Sequence, residues 1–261
     1  MTIEPVAFFH SPLTSKFGIP RQSGLAPTLS GRIVLTPPYR HEEAIRGLEG
    51  FDYLWLIWEF SANVPSARPR STKSRLLPTG LKKDASKSRT SQPSTSHHLT
   101  VRPPRLGGNE RVGVFASRSP FRPNGLGLSC VRLDHVEMTP HEGPVIHVLG
   151  ADLMDGTPIY DIKPYVAYAD AHSEARCGFV DTRQWQPLQV VIDAAVESRF
   201  SPAELEALRA VLSQDPRPRY HDAPQRIYGM PFAGRDVKFR VEDGVVTVLD
   251  ACPSTLHFSQ A

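Results

Sequence analysis

The thirty-five residues from Val64 to His98 decide first what this chain can fold into. They hold twelve Ser and Thr, eight Lys and Arg, one acid and few large apolar side chains, without periodicity. Such a stretch buries too little surface to offset the entropy of ordering it, so it is expected as a disordered basic insertion. Any core must come from the 63 residues before it and the 163 after it.

The insertion also carries the charge. The chain is +3 overall, yet residues 64–98 alone are +7 and the remainder is −4. Two readings stand side by side: a solvated linker with incidental charge, or a basic arm that follows a nucleic-acid backbone.

Outside it, the pattern is one of short strands. Tyr53–Phe60 is apolar on both faces and rich in β-formers, as a buried strand is. Arg111–Ser117, Leu128–Val136 and Val145–Leu149 are further β-like runs divided by Gly and Pro, and His41–Leu48 fits one or two helical turns. Many short strands with few helix signals predict a mainly β domain, a closed or strongly coiled sheet, over residues 1–172. Residues 173–261 read as a small α+β domain. Ser201-Pro202-Ala203-Glu204 is an N-cap, a first-turn Pro and a capping-box Glu, followed by Leu205, Leu208, Val211 and Leu212 on one stripe. Val237–Val241 and Val245–Leu249 flank Asp243-Gly244, a hairpin signal.

Several classes fall away. No apolar run reaches membrane-spanning length. The start, Met-Thr-Ile-Glu-Pro, has no basic and apolar leader pattern, so a cytoplasmic location is expected. Cys130, Cys177 and Cys252 are odd in number and widely spaced, which argues against a disulfide framework and against zinc; no metal is expected. Gly125-Leu-Gly127-Leu-Ser-Cys130 lacks the third Gly and the βαβ setting of a dinucleotide fingerprint.

Two polar stretches remain. Between Leu99 and Arg132 there are six Arg, no Lys and only Glu110 in opposition. The guanidinium fork suits carboxylate and phosphate and stacks on bases. Arg105 and Arg111 fit ion pairs across a Pro-rich loop; Arg118 and Arg122, framed by Ser-Arg-Ser-Pro-Phe-Arg-Pro-Asn, fit a binding role better. The second stretch runs from Asp152 to Tyr165, where strand alternation puts Asp161 and Lys163 on one face. That pair is either an ion pair or part of a site.

These residues resemble the TsaA-like β-barrel proteins, the tRNA threonylcarbamoyladenosine N6-methyltransferase family TrmO. The matching segments are Phe17–Gly24, Arg46–Phe51 with Leu54-Trp55, Thr100–Asn109, Gly113–Asn124, Asp155–Tyr165 and Gln214–Tyr220. The resemblance implies S-adenosylmethionine as cofactor, tRNA as partner and a homodimer. By position it implies cofactor contacts at Gln22, Ser23, Gly24, Phe60, Ser61, Ala62, Arg118, Leu128, Asp155, Gly156, Thr157 and Pro158. With that function in view, Arg102, Arg105, Arg122 and Asn124 are the candidate tRNA contacts and Asp161 and Lys163 the candidate catalytic residues. Ser61 stands where the family pattern has a His, and the insertion stands where the family has a short link. A non-catalytic RNA-binding barrel and an S-adenosylmethionine-sensing barrel are the competing readings.

Overall fold

Every second residue of Tyr53–Glu59 is buried, the pattern of a strand with one face on a core. The computed structural model describes residues 3–63, 99–103, 110–181, 186–217 and 225–254. The insertion expected at 64–98 and the candidate Arg105 lie outside them.

In chain order the strands are β1 (Ala7–His10), β2 (Ser30–Leu35), β3 (Tyr53–Glu59), β4 (Thr100–Val101), β5 (Val112–Gly113) and β6 (Leu126–Thr139). They continue as β7 (Gly143–Leu149), β8 (Thr157–Pro164), β9 (Gln189–Ile192), β10 (Tyr228–Phe232), β11 (Arg235–Glu242) and β12 (Val245–Pro253). Helices are α1 (Glu42–Ile45), α2 (Ala167–Asp170), α3 (Ala194–Glu197) and α4 (Pro202–Ser213).

Six antiparallel strands close a barrel in the order β1-β2-β7-β6-β3-β8. Closure removes the unpaired edges that a sheet of this size would otherwise expose. Leu54, Leu56 and Trp58 of β3 point inward to meet Phe9, Ile33, Val131, Ile146 and Ile159. The opposite side of β3 is open rather than buried: Tyr53 is exposed, and Trp55, Ile57 and Glu59 are half-buried. The strand is therefore one-sided, as antiparallel barrel strands are.

The run Arg111–Ser117 is not a single strand. After the two residues of β5 the chain closes into a 3₁₀ turn over Val114–Ala116. The Ser117 hydroxyl donates to the Val114 carbonyl at 2.9 Å, and Arg122 donates to the carbonyl of Ser117 at 2.6 Å. These side chains offer the backbone an alternative to a strand ladder.

The second core has its own sheet, β10-β11-β12-β9, with β9 parallel to β12. The capping box on α4 is present as read: the Glu204 amide donates to Ser201 Oγ and the Ser201 amide donates to the Glu204 carboxylate. Ala207, Leu208, Val211 and Leu212 are buried against Met230, Phe232 and Phe239. The hairpin β11–β12 turns on Asp243 and Gly244, both at positive φ (47° and 78°), the backbone a tight two-residue hairpin needs.

The two cores share one segment. Between β1 and β2 the chain leaves the barrel, and Leu13, Ala26 and Leu29 are buried in the second core with Phe17 and Ile19 packed beside them. The Ala233 amide donates to the Pro12 carbonyl (3.0 Å), and the Gln214 side chain donates to the Leu25 carbonyl (2.9 Å). The 22–24 turn therefore rests on both units.

Candidate functional site

The 22–24 turn, the Arg118 loop, β6 and the 150–156 loop meet at a buried acid. Gly24 donates to the Gly150 carbonyl at 2.8 Å, which fixes the turn against the loop that ends the β7 strand. Asp152 follows, half-buried as a residue with its carboxyl enclosed. Ser129 of β6 donates to Asp152 Oδ1 at 2.5 Å, and Trp58 Nε1 donates to Ser129 Oγ at 2.9 Å. The Ser23 backbone and the Arg118 guanidinium also favour the charged form of this carboxyl. Burial pushes the Asp152 carboxyl above the ordinary aspartate value, against the pull of Ser129, its own backbone, Arg118 and Ser23.

Trp58 reaches Ser129 because its register partner is Gly127. A Cβ there would lie 2.4 Å from the indole, so no larger residue fits without moving the ring. The edge of Trp58 meets Phe60 at 4.3 Å, and Phe60 is tied by its amide to the Gly125 carbonyl at 2.8 Å. Ser61 and Ala62 continue into a 3₁₀ turn.

Of the sequence-expected cofactor residues, the structure joins Gln22 and Arg118 directly. Arg118 donates to the Gln22 side-chain oxygen while remaining exposed. Leu128, beside Ser129, is 59% exposed and offers an apolar face. Asp155 turns elsewhere: its Oδ1 accepts from the Ser11 amide at 3.1 Å and lies 3.4 Å from His10 Nδ1. Gly156 holds positive φ (75°), and Thr157 and Pro158 are buried in the barrel wall. These three shape the loop by backbone.

The substrate candidates are more dispersed. Arg102 and Asn124 are exposed. Arg122 spends its guanidinium on the carbonyls of Val114 and Ser117 and so organises the loop that carries Arg118. Asp161 and Lys163 do share a face, with Lys163 Nζ 3.3 Å from Asp161 Oδ2. Their register partners are Ile57 and Trp55, so they lie on the outer wall of the barrel, opposite the Trp58 side of β3. Close by, Tyr160 donates to Glu59 at 2.7 Å, and burial with the Glu59 contact pushes its phenol up to about 12. Among the described residues, no group of three His, Cys, Asp or Glu is arranged to hold a metal ion, and no helix is long and apolar enough to cross a membrane.

Asp152, Ser129 and Trp58 were not expected as site residues. Their partners come from four distant stretches of chain, which no local spacing reveals. The only sequence signal was a Ser and an Asp beside otherwise apolar core positions.

The model for the tRNA-methyltransferase O N-terminal domain matches residues 8–171, and that for the TrmO C-terminal domain matches residues 185–253. The chain belongs to the TrmO family. An Escherichia coli (strain K12) relative named tRNA (adenine(37)-N6)-methyltransferase is 35% identical over 250 residues, 92% of this chain and 93% of that protein. A Pseudomonas aeruginosa relative, also 35% identical over 95% of this chain and 96% of its own, is provisionally named an S-adenosylmethionine-dependent methyltransferase. The crystal structure of TrmO from Pseudomonas aeruginosa superposes with a TM-score of 0.68 at 30% identity, covering 97% of this chain and 98% of the other.

The TrmO membership makes S-adenosylmethionine the group to test against this site, and the donor set fits it. Arg118 is a solvent-facing fork suited to an α-carboxylate. The turn at Gly24 (φ 79°) has open space where a Cβ would stand, so a ligand can approach its backbone. Leu128 supplies apolar surface for an adenine face.

Proposed function

We propose that this protein is an S-adenosylmethionine-dependent tRNA methyltransferase whose target is the N6 nitrogen of threonylcarbamoyladenosine at position 37. The observation that carries the reading is similarity to the Escherichia coli tRNA (adenine(37)-N6)-methyltransferase across both units. The Arg118–Gln22–Asp152 cluster supports it, as a site whose chemistry suits the methyl donor.

S-adenosylmethionine, when bound, supplies an electrophilic methyl group on a sulfonium. Arg118 binds its carboxylate, the 22–24 turn and the Gly156 loop give backbone contacts, and Leu128 covers an apolar face. The N6 nitrogen of the carbamoylated base is delocalised into the adjacent carbonyl and is a weak nucleophile. The chain therefore has two tasks, holding that nitrogen in line and accepting its proton. Asp161 is the proton acceptor in this reading. Lys163, paired with it at 3.3 Å, is with Arg122 the candidate to hold the threonyl carboxylate. Arg102, Arg105 and Asn124 contact the tRNA. The protein acts as a cytoplasmic homodimer.

Incubation with labelled S-adenosylmethionine and tRNA with or without the threonylcarbamoyl group tests this. Label is expected only in the carbamoylated tRNA. Cofactor binding without transfer to either tRNA would replace the enzyme with a sensor, and light scattering at monomer mass would remove the dimer.

A further inference from the structure

Among the described residues, the side chain hydrogen-bonded to the Asp152 carboxylate gives it a hydrogen. Trp58 Nε1 carries an obligate donor, so Ser129 Oγ accepts from it at 2.9 Å and must spend its single proton elsewhere. That proton points to Asp152 Oδ1 at 2.5 Å. The backbone at Asp152 and Ser23 and the Arg118 guanidinium likewise favour the anion. A protonated Asp152 would bring one more hydrogen to a junction whose partners are already donating. The relay from the barrel interior is therefore built for the anion, in a place where burial works against the anion.

The junction has a further property. It joins β3, β6, the 22–24 turn and the Arg118 loop, and the last three carry Leu128, Gln22 to Gly24 and Arg118. Asp152 touches the machinery of the cofactor site from beneath.

We propose that Asp152 is the positioning residue of the cofactor site: its carboxylate, oriented by the Trp58–Ser129 relay, ties the 150–156 loop to β6 beside Leu128, and that loop in turn holds the 22–24 turn through the Gly24–Gly150 bond, setting the arrangement near Arg118 that receives S-adenosylmethionine. This rests on the S-adenosylmethionine reading above. It makes cofactor affinity depend on one buried ionisation. The groups facing Asp152 are Ser129 from β6, the Ser23 backbone from the turn and Arg118 from its loop, and Trp58 of β3 stands behind Ser129. Asp155, three residues on, faces His10 and Ser11 instead. With its proton held more tightly than an ordinary aspartate's, Asp152 loses its charge at a higher pH on acidification, and the site loosens with it.

The test is calorimetric titration of the whole protein with S-adenosylmethionine between about pH 5 and 8, in buffers of different ionisation enthalpy. Wild-type affinity is expected to fall on acidification, with protons released on binding at the acid end. Asp152→Asn is expected to bind about tenfold or more weakly near neutrality, the usual scale for a charged hydrogen bond, with neither pH dependence nor proton release. Ser129→Ala removes one donor from the anion, so its affinity midpoint should move to higher pH. A merely structural Asp152 would change the melting temperature and leave those pH readouts unmoved. Equal affinity and an unchanged pH profile in Asp152→Asn overturns the inference alone. If that variant does not fold, an unmoved midpoint in Ser129→Ala overturns it. Wild type that binds no S-adenosylmethionine overturns the cofactor reading and this inference together.

Discussion

Two carboxylates nine residues apart occupy opposite settings on the barrel. Asp152 is enclosed and reached from four segments, and its charge is disfavoured by burial. Asp161 is on the outer wall beside Lys163, its second oxygen accepting from the Ile162 amide at 3.0 Å. The first is costly to ionise and shapes what surrounds it. The second is half-exposed and open to what arrives. An enclosed charge is suited to organising a site and an open one to meeting a large substrate, which is the division a tRNA methyltransferase needs.

The largest effect should come from the open side. Asp161→Asn is expected to lower the single-turnover rate about 10²–10⁴-fold, the range for a positioned acid or base, with cofactor affinity nearly intact. A rate within a few-fold of wild type would leave positioning alone to carry the reaction and would collapse the contrast between the two acids. On the enclosed side, Arg118→Ala should weaken S-adenosylmethionine binding by about 1.5–3 kcal/mol, as for a hydrogen bond to a charged group. Calorimetry checks it, and unchanged affinity in a folded variant would assign Arg118 to its Gln22 contact or to RNA.

A smaller effect concerns attraction at a distance. Replacing residues 66–96, the bulk of the +7 stretch, by a Gly/Ser linker should lower tRNA affinity and make its salt dependence shallower, since fewer counterions are released. Identical slopes for both proteins would reduce the stretch to a spacer. The smallest sharpens the comparison through stability. Asp152 is raised in the fold, so between the ordinary aspartate value and the raised one the folded state holds a proton that the unfolded state has lost. Stability therefore falls as pH rises through that window. Thermal melts of wild type and Asp152→Asn across acidic pH should converge at the low end and separate in this sense at the high end.

How legible each acid was follows from where its partners lie. Asp161 and Lys163 are two residues apart on a strand, so alternation alone put them on one face. The capping box of α4 and the Asp243-Gly244 hairpin were legible for the same reason, every partner lying within a few residues. The closed barrel was legible as a class, from short strands and scarce helix signals, whereas its order β1-β2-β7-β6-β3-β8 depends on pairings between distant strands. Asp152 belongs with the latter. Ser23, Trp58, Arg118 and Ser129 become its neighbours only through the fold, and burial, which sets its chemistry, has no local signature. The Arg111–Ser117 strand was misread because Ser117 and Arg122 bond the backbone themselves. The contacts of Arg122 to the Val114 and Ser117 carbonyls had no signal in the sequence for the same reason.

The segment that leaves the barrel after β1 roots Leu13, Ala26 and Leu29 in the neighbouring core while carrying Gln22 to Gly24 at its middle. A turn anchored this way is a mechanical linkage: whatever loosens the C-terminal sheet also slackens the cofactor end, although none of that sheet's residues belongs to the site. Reciprocally, a ligand that grips the turn should brace the distant sheet, because binding to the folded form alone raises the work of opening everything the turn is fastened to. Amide exchange along β10 to β12 would register that bracing as slowed opening on addition of S-adenosylmethionine. The C-terminal unit then serves as ballast for a site it does not enter.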